Sequence, residues 1–167
     1  MAADSLLPDD VVALARRVIG ENAAIGRRLA VAESCTGGLV AAALTEIAGS
    51  SAVLDRGFVT YSNEAKQESL SVPSDIIETF GAVSIACVWA MAQGAIAHSQ
   101  ADLAVAISGI AGPDGGTEQK PVGTVVFARA RRNDEGEPEG EMRHLDGGNR
   151  SEIRHQATLV ALELLLP

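Results

Sequence analysis

Small hydroxyl side chains, glycines and a scarce lysine carry most of the chemistry this sequence can offer, and they are gathered into three short stretches. The first is Val31-Ala32-Glu33-Ser34-Cys35-Thr36-Gly37-Gly38, an apolar run that stops at three small reactive side chains and two glycines before apolar residues resume. Tyr61-Ser62-Asn63-Glu64-Ala65-Lys66 is the second, and Ser108-Gly109-Ile110-Ala111-Gly112-Pro113-Asp114-Gly115-Gly116 is the third. Lys66 and Lys120 are the only lysines beside eleven arginines, and both lie in or next to these stretches. A GC-rich genome would deplete lysine without any functional cause. A desolvated lysine, however, can surrender its proton and act as a base, which arginine cannot do. Tyr61 and Lys66 beside a serine hydroxyl form a workable set for activating a nucleophile. The plain alternative is a tyrosine capping the core and a surface lysine.

The first stretch has several readings. Ser34 or Thr36 can be a helix N-cap. Ser34 can be a nucleophile, with the turn's N–H groups as an oxyanion hole. Cys35 can be the nucleophile, since a helix N-terminus lowers a thiol pKa. None of His98, His144 and His155 falls in these stretches, so no Cys/His pair is visible. The turn Thr36-Gly37-Gly38 can also hold a phosphate while the nucleophile comes from elsewhere, Ser51 in Gly49-Ser50-Ser51 being the next candidate. The glycine stretch fits neither a Walker A sequence nor a GxGxxG turn, yet Gly109, Gly112, Gly115 and Gly116 can cradle an anion through backbone N–H groups.

The elements that must position these residues alternate. Val11, Leu14, Ala15 and Val18 mark a first amphipathic helix, and Leu29 to Ala32 a first strand. Val40, Ala43, Leu44 and Ile47 give a second helix, ended by Gly49. Gly57 to Tyr61 reads as a strand, and Ser62 as the cap of a helix containing Lys66. After Pro73, Ser84 caps a helix with Ile85, Val88, Trp89, Ala92 and Ile96 on its inner side. Leu103 to Ile107 is a continuous apolar run, as in a central strand. Val122 to Ala130 is a further strand, residues 131–140 a charged solvent loop, and Glu141 to Leu145 an edge strand. Asn149 and Glu152 form a capping box for a last helix with Ile153, Ala157, Val160, Ala161 and Leu164 inward. The expectation is one α/β domain over residues 1–167: a three-layer α/β/α sandwich on a mixed, mostly parallel five-stranded sheet, with an antiparallel pair at one end. If the first three strands are parallel, the three stretches leave one edge of the sheet and can enclose one pocket.

Bulk properties narrow the class. A length of 167 residues suits one core, and 47% apolar content can fill it. The net charge of −9 argues against a nucleic-acid partner. No run approaches the roughly 20 apolar residues of a membrane span, and Met1 to Asp10 lacks the form of a secretory signal, so a cytoplasmic location is expected. Cys35 and Cys87 suggest neither a zinc site nor a disulfide framework.

The phrases AESCTGG, IAGSS, RGFVTYSNEAK, GAVS and AISGIAGPDGGTEQKPVGTV, with the closing helix, resemble the C-terminal domain family of the competence-damage-inducible protein CinA. The resemblance runs from the first helix to the last. It implies a mixed five-stranded α/β/α fold and hydrolysis of the carboxamide of nicotinamide mononucleotide to nicotinate mononucleotide and ammonia. It further implies no metal or organic cofactor, a small nucleotide substrate and a homo-oligomer. The family's serine, tyrosine and lysine set falls on Ser34 or Ser51 with Tyr61 and Lys66. Ser34 is favoured because strand direction puts it on the edge with Tyr61 and Lys66. Asn63, Ser108 and the glycines of the first and third stretches are the expected substrate contacts. The larger proteins of the family carry an added N-terminal domain, whose activity does not transfer to this sequence.

Overall fold

In the structure, a computed structural model, alternation of helix and strand becomes three layers; residues 4–136 and 138–167 are described. The sequence expectations touching Met1–Ala3 and Glu137, within the N-terminal stretch and the 131–140 loop, lie outside the described residues.

The chain runs α1 (Asp9–Ala24), β1 (Leu29–Glu33), α2 (Leu39–Thr45), a short 3-10 turn at Ser50–Ala52, β2 (Leu54–Val59), α3 (Asn63–Leu70), α4 (Ser74–Phe80), α5 (Ile85–Ala97), β3 (Leu103–Gly109), β4 (Thr124–Arg131), β5 (Glu139–His144) and α6 (Arg150–Leu164). The sheet order is β2-β1-β3-β4-β5. β1 pairs in parallel with β2 and β3, whereas β3–β4 and β4–β5 are antiparallel. The expected predominance of parallel strands is therefore wrong: the pairings divide evenly. A parallel return from β3 to β4 would need a crossover, usually a helix. Residues 110–123 form none, because Gly112, Gly115, Gly123 and Pro113 keep them irregular, and the chain doubles back beside β3.

Side-chain alternation along the strands builds two cores. Leu29, Val31, Leu103, Val105, Ile107, Val125 and Phe127 meet α1, α2 and α6. The opposite face is mostly alanine: Ala30, Ala32, Ala104, Ala106, Ala128 and Ala130 lie beneath α5. These small side chains let α5 settle close to the sheet, which accounts for a filled core with so few aromatics. Along α5, Cys87, Val88, Met91, Ala92 and Ala95 face inward, while Ile85 is 41% exposed rather than inward as its spacing suggests. The α3 backbone packs closely on α5 at Gly94, where an added Cβ would stand 2.0 Å from the Leu70 carbonyl oxygen. That contact fixes the helix carrying Lys66. The α4 helix has no counterpart in the sequence reading; its seven residues are too few to show a helical period.

Candidate functional site

Parity along β1 sends consecutive residues to opposite tasks. Glu33 shares the α2 face with Val31, and Ser34 shares the α3/α5 face with Ala32. Glu33 is fully buried. Its carboxylate accepts hydrogen bonds from Thr36 Oγ1 at 2.6 Å and from the N–H groups of Gly38, Val40 and Ala41 at 3.2, 3.0 and 3.0 Å. It thus takes up the donors at the start of α2 and faces the positive end of that helix. Gly38 makes the geometry possible, because φ of +101° there lets the backbone turn its N–H onto the strand end.

Neither the N-cap reading of Ser34 or Thr36 nor a phosphate seat at Thr36-Gly37-Gly38 fits this geometry. Glu33 caps the helix, the Thr36 hydroxyl is spent on Glu33, and the Gly37 N–H donates to the Ser34 carbonyl at 3.0 Å. The N–H groups of Cys35 and Thr36 have no oxygen acceptor among the described residues. Arg154 of α6 braces the same turn from behind, donating to the carbonyls of Cys35 and Thr36 at 3.0 and 3.3 Å.

Lys66 is reached through a well-formed helix start, the Ser62 hydroxyl accepting from the Ala65 N–H at 3.0 Å. Its side chain runs back toward the N-terminus of α3, as helical side chains do, and ends beside the residues that precede the helix. Nζ donates to the Thr60 carbonyl at 2.8 Å, the Tyr61 carbonyl at 3.2 Å and Ser34 Oγ at 3.1 Å. Lys66 is only 1% exposed and forms no salt bridge among the described residues. Burial lowers its pKa below the ordinary lysine value, opposed by the nearby thiols of Cys87 and Cys35. In the neutral amine two N–H bonds suffice for the two carbonyls, leaving the lone pair for the Ser34 O–H.

A cavity of about 180 Å³ opens over this pair. Ser34, Cys35, Tyr61, Asn63, Lys66, Ser108, Gly109 and Ala111 line it together with Ala82, Val83 and Arg150. Ser108 is buried, and parity on β3 puts it on the same sheet face as Ser34. Gly112, Gly115 and Gly116 lie further along the loop, outside the lining. The Gly112 carbonyl accepts from Arg150 Nη1 at 2.8 Å.

Tyr61 is 61% exposed, and its phenol oxygen accepts from Arg150 Nη2 at 3.0 Å. Its carbonyl accepts from Lys66 Nζ whereas its phenol is bonded to Arg150, so the phenol does not relay between lysine and serine. Ser51 is exposed in the turn before β2, at the end of the sheet where β1 begins, a strand length of ~15 Å from Ser34. Lys120 donates to the Phe80 carbonyl at 2.9 Å and tethers the glycine loop to α4. Cys35 is buried, and desolvation pushes its thiol up to about 11, the reverse of the lowering expected from its position before a helix. Among the described residues no cluster of His, Cys, Asp or Glu is placed to hold a metal ion.

The sequence reading missed Glu33 and Arg150. Glu33 looked like one more position of the strand end. Arg150 follows the Asn149 cap of α6, and a cation directly after a helix cap was the available signal.

Together these features define a serine–lysine site: a buried lysine on a serine hydroxyl, at the carboxyl edge of parallel strands in a three-layer α/β/α domain. The chain belongs to the CinA C-terminal domain family, whose model matches residues 12–167. Over 140 residues it is 53% identical to the nicotinamide-nucleotide amidohydrolase PncC of Escherichia coli K12, covering 84% of this chain and 83% of that protein. A CinA-like protein of Shewanella loihica is 46% identical over 162 residues, 97% of this chain and 38% of that longer protein. Among solved structures, the competence/damage inducible protein CihA of Agrobacterium tumefaciens superposes with a TM-score of 0.91 at 50% identity, with 96% of each chain covered. A CinA superfamily protein of Escherichia coli gives 0.86 at 34% identity, covering 98% of this chain and 94% of that one.

Proposed function

We propose that this chain is a nicotinamide-nucleotide amidohydrolase, converting the carboxamide of nicotinamide mononucleotide to the carboxylate with release of ammonia. The observation that carries the chemistry is Lys66 Nζ, buried and anchored on two carbonyls, at 3.1 Å from Ser34 Oγ. The kinship with PncC supplies the substrate class.

Neutral Lys66 accepts the Ser34 proton as Oγ attacks the amide carbon and the carbonyl electrons move onto oxygen. The N–H groups of Cys35 and Thr36, one and two positions after the serine, receive that oxyanion. As it collapses, the C–N bond breaks and the leaving nitrogen takes the proton from Lys66, departing as ammonia. A water then attacks the Ser34 ester and gives a proton to Lys66. When the ester C–O bond breaks, that proton returns to Ser34 Oγ. Tyr61 serves through its carbonyl, which orients the amine, rather than by relaying protons through its phenol.

The test is ammonia release over a panel of small carboxamides with the purified chain. Turnover of nicotinamide mononucleotide above the rest is expected. Binding of the mononucleotide with no ammonia formed would overturn the reading.

A further inference from the structure

The cavity over Ser34 and Lys66 is too small for a whole mononucleotide. Its volume of about 180 Å³ lies below the roughly 300 Å³ at which small-molecule sites begin, so it suits a pyridine ring with its carboxamide. The ribose and phosphate must lie across the rim. Resting on the amidohydrolase reading, we propose that Arg150, with the Tyr61 phenol beside it, is the receptor for the substrate's phosphate and selects phosphorylated substrates over unphosphorylated ones.

Four observations converge. The helix start nearest the nucleophile is closed to an anion, because Glu33 already occupies the N–H groups of Gly38, Val40 and Ala41. Arg150 lines the cavity on the side of the glycine loop and α3, and its guanidinium holds only neutral partners, the Gly112 carbonyl and the Tyr61 phenol oxygen. It forms no salt bridge among the described residues, in a chain of net charge −9. The other cations nearby are committed elsewhere: Arg154 to the carbonyls behind the turn, and Lys120 to Phe80.

The hydrogen-bond directions complete the receptor. Because the Tyr61 oxygen accepts from Arg150, its own O–H is free to point to the rim, so guanidinium and phenol can donate to one anion. A planar guanidinium exchanging two neutral acceptors for phosphate oxygens gains charge-assisted bonds, about twice as strong as neutral ones. Carboxamide and phosphate are then held at opposite ends of the site, and the distance between them selects the nucleotide.

The experiment compares kcat/KM for nicotinamide mononucleotide and for the riboside lacking its phosphate in the wild type, Arg150→Met, Arg150→Lys and Tyr61→Phe. The wild type should favour the mononucleotide by about 100-fold or more, and Arg150→Met should lose most of that preference, its kcat/KM ratio between the two substrates falling to within about tenfold of unity. Arg150→Lys should regain part of the preference. Tyr61→Phe should lower kcat/KM for the mononucleotide by about tenfold, mainly through KM. A wild-type preference retained in Arg150→Met overturns the receptor. Calorimetric titration with the mononucleotide separates this from the amidohydrolase reading. Weaker binding to Arg150→Met, with no ammonia formed by the wild type, keeps the receptor and removes the activity. Equal binding by both proteins removes the receptor.

Discussion

Ser34 Oγ and Lys66 Nζ, 32 positions apart in sequence, stand 3.1 Å from one another in a buried contact, and among the described residues no carboxylate pairs with the lysine. The pair acts as one device under the proposed chemistry, since the Ser34 hydroxyl has no base without Lys66 and Lys66 has no nucleophile to activate without Ser34. Ser34→Ala and Lys66→Met should each lower turnover of the mononucleotide by about 10³-fold or more, and the double variant should be no worse than either single one within about tenfold. Additive losses, measured by steady-state ammonia release, would separate the two residues. Lys66→Arg should be as inactive as Lys66→Met, because a guanidinium does not give up its proton.

Burial depresses the Lys66 pKa below 10.5, which fixes the direction of two pH effects. kcat/KM should climb with pH through the depressed value, where the base becomes neutral, rather than near 10.5. For stability, between the native pKa and 10.5 the unfolded chain holds a proton that the native state does not. Wild-type stability relative to Lys66→Met should therefore rise with pH across that window and be flat below it. Paired urea titrations at a series of pH values check this; a difference that falls with rising pH contradicts the assignment.

Glu33 predicts a structural cost with a functional echo. Glu33→Ala strips acceptors from the Thr36 hydroxyl and from three N–H groups at the start of α2, a loss of about 2–4 kcal/mol. Glu33→Gln keeps one acceptor oxygen but turns an NH₂ toward donors, so it should recover only part of that loss. Both variants should lower kcat by loosening the turn that carries Ser34. Unchanged unfolding midpoints would show that the carboxylate does not organise the turn.

Gly94→Ala tests the support of Lys66 from a distance. The new Cβ would collide with the Leu70 carbonyl, forcing α3 away from α5, with an expected loss of about 3 kcal/mol or more. Turnover in the folded fraction should fall as Lys66 retreats from Ser34. Activity and an unfolding midpoint both at wild-type levels would mean that α3 is not held by this contact.

The apolar runs of β1 and β3, the caps Ser62, Ser84 and Asn149, and the inward residues Val88, Ala157 and Ala161 could be read from the sequence, because local pattern determines them. The direction of β4 could not: the alternation of helix and strand points to parallel crossovers, whereas the irregular 110–123 connection turns β4 antiparallel to β3. The nearness of Lys66 to Ser34 was suggested by strand direction, but the choice between the Tyr61 phenol and its carbonyl depends on the backward slant of side chains on α3. Glu33 and Arg150 stayed hidden for a common reason. Each acts on an element other than its own, and sequence spacing carries no record of which helix end lies against which strand.

The most direct measurement is ammonia release from nicotinamide mononucleotide by the wild type, Lys66→Met and Ser51→Ala, each first shown to be folded by circular dichroism. The account predicts one ammonia per nicotinate mononucleotide formed in the wild type, nearly the same rate in Ser51→Ala, and about a 10³-fold loss in Lys66→Met. A folded Lys66→Met that turns over at the wild-type rate, or a Ser51→Ala that does not turn over at all, would contradict it.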